Sequence, residues 1–220
     1  MDGYAALRWV LRRILRLGFG LEVTGVEHIP ADGPAILAVN HRSQIDPVVL
    51  AAAVPRRCTF LAAAEVLTMP ILGALVRPFR VVPVRRGQFD RGAIEECLAR
   101  LERGEVLVIF PEGKISTDGR AQPPRDGLAF LAGRAGVPII PLGIAGTYEV
   151  WPLGTRMPRL GRITVRVGEA IVPAEAPARR EQSALTARVM EAIGRLSGRT
   201  PAASADVTAL GLRPGSCGKG

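Results

Sequence analysis

In the stretch Ala35-Ile36-Leu37-Ala38-Val39-Asn40-His41-Arg42-Ser43-Gln44-Ile45-Asp46, five apolar residues pass directly into a polar block. A short apolar run bounded in this way predicts a buried strand over residues 35–39. The polar block then places a histidine and an aspartate five positions apart at the end of that strand. A second apolar run, over residues 106–109, ends in Phe110-Pro111-Glu112-Gly113. Because two strands of one small domain end in polar blocks, we predict one active site built from both.

Strand and helix patterns alternate along most of the chain. We predict strands over 21–25, 35–39, 57–62, 80–84, 105–110, 138–144 and 162–168. We predict helices over 4–19, 47–54, 69–77, 88–103, 126–135 and 180–197. This alternation predicts an α/β fold, namely a single domain with a mixed, mostly parallel sheet flanked by helices.

The chain divides into three parts by composition. Residues 1–20 are predicted to be an amphipathic membrane-association helix, and residues 21–197 the catalytic domain. Residues 198–220 are rich in Pro, Gly, Ala and Ser without periodicity, and we predict a disordered tail. At 220 residues, the chain is long enough for one domain with a sizeable core.

The chain is strongly basic, with a formal net charge of +9 and a pI of about 10.8. Such a charge indicates an anionic partner, either nucleic acid or an anionic lipid surface. Aromatic residues make up only 5% of the chain, and none alternate with basic residues as in a base-stacking surface. We therefore predict a lipid surface and no nucleic acid. The alternative is that the chain is rich in Arg, Ala and Gly because of a compositional bias of the genome, and that the charge has no functional meaning.

The three cysteines show no CxxC spacing, which argues against a disulfide framework or a zinc site. Cys58 and Cys97 are predicted to be buried packing residues, and no metal site is predicted.

No uninterrupted apolar run reaches the roughly 18 residues of a spanning helix. The N-terminus also lacks the layout of a secretory signal.

The N-terminal helix carries Arg8, Arg12 and Arg16 on one face, with Leu, Ile and Val over the rest. This pattern is typical of a helix that lies in a membrane interface. The chain would then be peripheral or monotopic on the cytoplasmic face of the cell membrane. The alternative is a helix packed on the domain with solvated arginines. Three aromatic residues are predicted to anchor the helix: Tyr4, Trp9 and Phe19.

His41 and Asp46 are suited to activating a hydroxyl group. A neutral imidazole is the natural base near pH 7, and a carboxylate can fix its tautomer and stabilise the imidazolium. The substrate would supply the hydroxyl. Asp46 also has a structural interpretation, as an N-cap before Pro47 or as the third helical residue of a capping box that begins at Ser43.

Three further blocks complete the pattern. In the second, Gly113 permits a tight turn, Glu112 can organise loop amides or orient a substrate, and Lys114 adds positive charge; the alternative is a solvated turn. The third, over residues 81–87, contains Arg85 and Arg86 at the end of a strand, and arginines suit phosphate; the alternative is a solvated strand end. The fourth, over residues 137–143, is mostly core.

These four blocks, in this order and spacing, resemble the glycerolipid acyltransferase family, which includes the 1-acylglycerol-3-phosphate acyltransferases. The lead-in over residues 23–30, followed by Gly33-Pro34, is also similar, and the resemblance covers roughly residues 20–172. It identifies residues 21–197 as the acyltransferase domain. It implies acyl transfer from acyl-CoA or acyl-carrier protein to a lysophospholipid hydroxyl, without a metal or other cofactor.

The resemblance also implies roles for individual residues. His41 would be the base and Asp46 its partner. Substrate binding would fall to Arg86 near the acceptor phosphate and to the loop that carries the second block. The members of that loop are Glu112, Gly113, Lys114 and Ser116. Supporting roles would fall to Asn40, Ser43 and Pro111.

The sequence departs from the family pattern after the second block. Many relatives have Thr-Arg-Ser there, whereas this chain has Lys114-Ile115-Ser116. Phosphate contact would then fall to Lys114 or Arg86. The alternative acceptor is another lysolipid, such as a lyso-ornithine lipid or lysophosphatidylethanolamine. The non-enzyme alternative is a protein that binds the membrane surface without turnover.

The third block departs as well, because Arg85 replaces an Asp that relatives often have before the arginine. The other histidine of the chain, His28, lies in the lead-in and has no counterpart among the family's catalytic residues. We therefore interpret His28 as structural.

Overall fold

The computed structural model describes residues 3–68, 73, 79–85, 90–118, 120–125, 127–174 and 178–198. Seven strands form one sheet in the order β1-β7-β6-β2-β5-β3-β4, and only β6 and β7 pair antiparallel. The predicted mixed, mostly parallel sheet is therefore confirmed. The strands are β1 Glu22–Thr24, β2 Ala35–Val39, β3 Cys58–Ala63, β4 Arg80–Val84, β5 Val106–Ile109, β6 Ile139–Ala145 and β7 Thr164–Val167.

The helices also lie close to their predicted positions. They are α1 Gly3–Phe19, α2 Asp46–Ala53, α3 Arg91–Glu102, α4 Gly127–Ala135, α5 Thr147–Val150 and α6 Arg179–Leu196. The sequence missed α5 and two 3-10 turns, Val26–His28 and Ala64–Thr68, because elements this short show no periodicity. The predicted helix over 69–77 (apart from Gly73), the tail beyond Gly198 and Cys217 lie outside the described residues.

The central strand β2 is buried on both faces, as expected for a strand inside a parallel sheet. Successive side chains point to opposite faces, so Ala35, Leu37 and Val39 enter one core while Ile36 and Ala38 enter the other. Helices α1 and α2 cover the first core, and α3, α4 and α6 cover the second. The buried Cys58 and Cys97 belong to these cores, which confirms their predicted packing roles.

The direction of the strands brings several loops to one edge of the sheet. Strands β2 to β6 all run the same way, so the segments that follow them meet at that edge, which we call the site edge. Strands β1 and β7 run in the opposite direction and begin there. The polar blocks after β2 and β5 are therefore neighbours, as the sequence predicted.

Helix α1 packs on α2, and every residue of α2 is buried. Tyr4 and Phe19 pack against the core together with buried Leu15, so their predicted role as membrane anchors is wrong. Trp9 is exposed. One apolar side of the helix thus packs against the domain, and a second apolar side is exposed. Within the described residues, no helix has the length and apolar character needed to span a membrane.

Candidate active site

His41 and Asp46 form a hydrogen-bonded pair at the site edge. His41 lies two residues beyond β2, Asp46 opens α2, and the Nδ1 atom of His41 lies 2.9 Å from Oδ2 of Asp46. Asp46 is fully buried, whereas 15% of the His41 side chain is exposed. The imidazole stacks on the ring of Phe110, with centroids 3.9 Å apart. The ring is therefore held in place while its Nε2 atom remains available.

The Asp46 carboxylate is fixed by the loop that precedes it. Its Oδ2 atom also accepts the backbone N–H of Arg42 at 2.7 Å and of Ser43 at 2.8 Å. The Asp46 N–H in turn donates to the Ser43 carbonyl at 3.3 Å. The structure has Ile45 as the N-cap of α2, without a side-chain capping bond, and Asp46 as the first helical residue, so neither predicted capping arrangement is present in full. Only the bond from the Ser43 N–H to the Asp46 carboxylate matches a capping box. One carboxylate oxygen thus organises the loop and faces the imidazole.

The second block binds both backbone polar groups of His41. The Oε1 atom of Glu112 accepts the His41 N–H at 3.2 Å, and the Ser116 N–H donates to the His41 carbonyl at 2.9 Å. The other Glu112 oxygen accepts the Gln122 N–H at 2.9 Å, and the Ser116 hydroxyl donates to the Arg120 carbonyl at 2.7 Å. Glu112 and Ser116 are both buried. In this structure the two residues hold the backbone of His41 in position.

The predicted supporting residues connect the site to the sheet. The Asn40 side chain donates to the Ile144 carbonyl at 2.9 Å and accepts the Ile144 N–H at 2.8 Å. It thereby extends the pairing of β2 with β6 by one step. The Ser43 hydroxyl donates to the Trp151 carbonyl. Pro111 is buried, and its carbonyl accepts the Arg125 N–H at 2.9 Å.

Gly113 adopts a backbone conformation that favours glycine, and the Arg125 side chain lies against it. Its φ is +67°, in the left-handed region, and its N–H donates to the Phe110 carbonyl at 2.9 Å. A Cβ atom at Gly113 would lie 2.6 Å from Nε of Arg125, so the arginine side chain lies directly over the glycine. Sequence reasoning missed Arg125. The available signal was a cation just before the start of α4, where the helix dipole disfavours positive charge.

Two adjacent cavities open beside the histidine. The larger, of about 300 Å³, lies between the sheet and helices α3 and α4, with Arg85 and Arg125 among its lining residues. Its inner wall is apolar and is formed by Leu61, Ile94, Cys97, Leu128 and Leu131. Burial raises the pKa of Cys97 to about 12, so this wall carries no charge at neutral pH.

The smaller cavity, of about 100 Å³, contains His41 and Gln44. The two cavities share Leu61, Ala62, Ala63, Phe110 and Gly113. The apolar chamber is therefore next to the cavity that contains His41, across a wall formed by the end of β3 and the start of the second block.

The remaining predicted residues lie elsewhere. Lys114 is exposed and lines neither of these two cavities. Arg86 lies outside the described residues, so its predicted phosphate contact stays a prediction. His28 contacts the Val167 carbonyl oxygen through Nδ1 at 3.1 Å, as expected of a structural residue. In the part of the chain that the structure describes, no three His, Cys, Asp or Glu side chains cluster as metal ligands would.

A buried carboxylate behind a histidine, at the carboxyl edge of a parallel sheet and beside an apolar chamber, has the geometry of a candidate active site with room for an apolar group. The chain belongs to the Acyltransferase family, whose sequence model matches residues 20–145. This match includes both polar blocks and the pair of His41 and Asp46.

Named relatives share this part of the chain. The chain is 29% identical over 139 residues to the chloroplastic 1-acyl-sn-glycerol-3-phosphate acyltransferase BAT2 of Brassica napus, covering 61% of this chain and 40% of that protein. It is 33% identical over 155 residues to the 1-acyl-sn-glycerol-3-phosphate acyltransferase of Limnanthes alba, covering 68% and 53%. The chain thus spans about half or less of these plant proteins.

A solved structure matches more completely. The crystal structure of the 1-acyl-sn-glycerophosphate acyltransferase PlsC from Thermotoga maritima superposes with a TM-score of 0.68 at 27% sequence identity. The match covers 90% of this chain and 84% of that chain. The similarity in fold therefore extends over most of the chain.

Proposed function

We propose that this protein transfers a fatty acyl group from an acyl thioester to the sn-2 hydroxyl of 1-acylglycerol-3-phosphate, giving phosphatidic acid. The observation that carries this proposal is the pair of His41 and Asp46, held at the mouth of an apolar chamber in a chain of the Acyltransferase family. The names of the relatives support the choice of acceptor.

In the proposed mechanism, Nε2 of His41 removes the proton of the acceptor hydroxyl as its oxygen attacks the thioester carbonyl. Asp46 holds the imidazole through Nδ1 and stabilises the positive charge that it acquires. When the tetrahedral intermediate collapses, the C–S bond breaks and the imidazolium returns its proton to the leaving thiolate. The donor is acyl-CoA or acyl-carrier protein, and the step requires neither a metal nor another cofactor.

We assign the substrate groups by their chemistry. The apolar chamber takes an acyl chain, since neither charge nor an ionised thiol lies on its inner wall. We assign contact with the acceptor phosphate to the cations Arg85, Arg86, Lys114 and Arg125. Among these, Arg125 is supported best, because it lies over Gly113 and lines the chamber, and no carboxylate in the described residues pairs with it.

A second acceptor class is favoured by one specific observation. The residues after Gly113 are Lys114-Ile115, and Ile115 rather than a cation lines the cavity that contains His41. A site with fewer cations near the base suits a lysolipid whose headgroup carries less negative charge. The alternative acceptors are therefore a lyso-ornithine lipid or lysophosphatidylethanolamine, acylated by the same mechanism.

The acceptor lies in a membrane, so we also propose that the protein is peripheral or monotopic on the cytoplasmic face of the cell membrane. The support is the side of α1 that faces away from the domain, where Trp9, Val10, Ile14 and Leu17 are exposed. Arg12, Arg13 and Arg16 are exposed around them. A helix with this composition suits the boundary between headgroups and acyl chains.

The first test is acyl transfer from palmitoyl-CoA to lysophosphatidic acid by purified protein in mixed micelles, beside His41→Ala. We expect turnover in the wild type and its loss in the variant, with matching thermal unfolding curves. The same assay with acyl-carrier protein and with lysophosphatidylethanolamine distinguishes the donors and acceptors. Undiminished turnover in a folded His41→Ala protein would refute the mechanism.

A further inference from the structure

The loop over residues 151–162 exposes apolar side chains on a firmly held backbone. Leu160 is 89% exposed and Met157 is 75% exposed, and Leu153 is exposed beside them. Isolated exposed leucines are common, but three large apolar side chains in one short loop form a patch of the kind that marks an interaction surface. The patch needs a partner that accepts apolar groups.

Several hydrogen bonds hold this loop, so its exposed residues are not the product of a loose segment. The Arg159 N–H donates to the Val150 carbonyl at 2.7 Å, and the Trp151 indole N–H donates to the Thr155 carbonyl at 3.0 Å. Its first residue accepts the Ser43 hydroxyl, which belongs to the catalytic block. The loop is therefore fixed directly to the loop that carries His41.

The charge of the loop is of one sign. Residues 151–162 include Arg156, Arg159 and Arg162, all exposed, and neither Asp nor Glu. Arg162 contacts Glu22 at 3.6 Å, which leaves Arg156 and Arg159 without an acidic partner in the described residues. Cations interspersed with exposed leucine and methionine match the boundary of an anionic bilayer, where apolar groups enter the acyl region and arginines meet phosphates.

The loop and α1 lie at the same edge of the sheet. Strand β7 begins beside the end of β6, with Ala145 opposite Thr164, so the loop ends at the site edge. The last residue of α1 is joined to the loop's end, because the Phe19 carbonyl accepts the Ile163 N–H at 3.0 Å. Gly20, the residue after α1, also lies against the loop, since a Cβ atom there would be 3.8 Å from Cγ of Arg162. The last turn of α1 carries Leu17, which is 82% exposed.

We infer that the 151–162 loop and the outward side of α1 form one bilayer-docking surface that sets the entrance of the His41 site against an anionic lipid membrane. This inference deepens the proposed function and rests on it only for the presence of the acceptor in the bilayer. The loop supplies a second contact beyond α1, and two contacts fix the orientation of the protein as well as its attachment.

The experiment measures partition of the full chain onto lipid vesicles without any substrate. Vesicles of phosphatidylcholine alone are compared with vesicles that contain phosphatidylglycerol. The apolar variant is Met157→Ser with Leu160→Ser, and the charge variant is Arg156→Gln with Arg159→Gln. The matched control is Val172→Ser, because Val172 is 72% exposed but lies next to Ile171, which pairs with the start of β6 at the opposite edge.

We expect the apolar variant to lower the partition coefficient on both kinds of vesicle by about tenfold or more. The charge variant should lower it by roughly 25-fold on anionic vesicles only, at about fivefold for each arginine. Val172→Ser should bind as the wild type does. Partition of both loop variants equal to that of the wild type, or no vesicle binding by the wild type, overturns the inference.

Two further measurements separate this inference from its rivals. With a short-chain acceptor below its micelle concentration, kcat/KM of the loop variants should equal that of the wild type, while turnover on vesicles falls. Absence of all turnover would refute the proposed function and leave the partition result standing.

Sedimentation of the free protein tests whether a second copy of the chain, rather than a bilayer, covers the apolar side chains of the loop. Self-association that is lost in the apolar variant, without a change in lipid binding, overturns the inference.

Discussion

The Oε1 atom of Glu112 accepts the backbone N–H of His41 at 3.2 Å, so the carboxylate of the second polar block holds the histidine of the first. The two residues lie 71 positions apart in sequence and are brought together by the parallel pairing of β2 with β5. This contact gives the second block a role that does not require contact with the substrate. Glu112 can therefore be explained in two ways, as a residue that positions His41 or as a residue that binds the substrate.

Substitution Glu112→Gln should distinguish these explanations. Glu112 accepts hydrogen bonds from two backbone N–H groups, those of His41 and Gln122. The amide of glutamine has one accepting oxygen, so its NH₂ group would face one of these two donors. A small displacement of the base is costly, so we expect kcat to fall by about 10- to 100-fold with KM for the acceptor within about threefold. Steady-state kinetics in mixed micelles measure both. An increase in KM with kcat unchanged would instead assign Glu112 to substrate binding.

Substitution Asp46→Asn tests the orientation of the histidine. The asparagine fits the buried site and can still accept backbone N–H groups, but it lacks the charge that stabilises an imidazolium. It can also donate to Nδ1, which would place the proton on Nε2 and remove the base. We expect kcat to fall by about 10²- to 10⁴-fold. Circular dichroism and thermal unfolding should show a folded protein, and a folded variant with wild-type kcat would contradict the assigned role.

The sequence predicted the parts of this molecule that depend on local pattern. Strand β2 was predicted with its observed bounds, because five consecutive buried residues give an unambiguous apolar run. The pairing of His41 with Asp46 also follows from local order, since a tight loop and one helix start separate them.

Features that depend on distant contacts were not predictable in this way. Nothing near Ser116 reveals that its N–H meets the His41 carbonyl, and the position of Arg125 over Gly113 depends on how the intervening loop folds back. The same holds for helix α1. Its periodicity indicates an apolar surface but does not indicate which part of that surface packs against the domain and which part stays exposed.

Asn40 should matter for stability more than for chemistry. Its amide satisfies both the N–H and the carbonyl of Ile144 in a buried position, so Asn40→Ala leaves two buried polar groups unpaired. At about 1–3 kcal/mol for each of the two groups, we expect a loss of roughly 2–6 kcal/mol in the free energy of unfolding. Tm should fall by roughly 4–24 °C. Calorimetry beside Ser183→Ala, an exposed position on α6, provides the comparison, and a change in Tm no larger than that of this control would refute the argument.

Arg125 should govern recognition of the acceptor phosphate. Hydrogen bonds to charged groups contribute about 1.5–3 kcal/mol, so Arg125→Gln should raise KM for lysophosphatidic acid by roughly 10- to 100-fold. The effect should be much smaller with monoacylglycerol, which has no phosphate. Arg120→Gln is the matched control, since Arg120 lies on the same loop with its side chain 86% exposed. Equal effects on both acceptors would remove Arg125 from the headgroup site.

Filling the apolar chamber should change the acyl chains that the enzyme accepts. Ile94 lies on α3 and lines the chamber, so Ile94→Trp would place a bulky indole ring in its volume of about 300 Å³ and shorten the space open to an acyl chain. Long acyl groups would then be excluded sterically, while short ones would still reach His41 past Phe110. We expect kcat/KM for palmitoyl-CoA to fall by at least about tenfold relative to octanoyl-CoA. Glu95→Trp, on the exposed side of the same helix, should leave this ratio unchanged, whereas an unchanged ratio in Ile94→Trp would place the acyl chain outside this chamber.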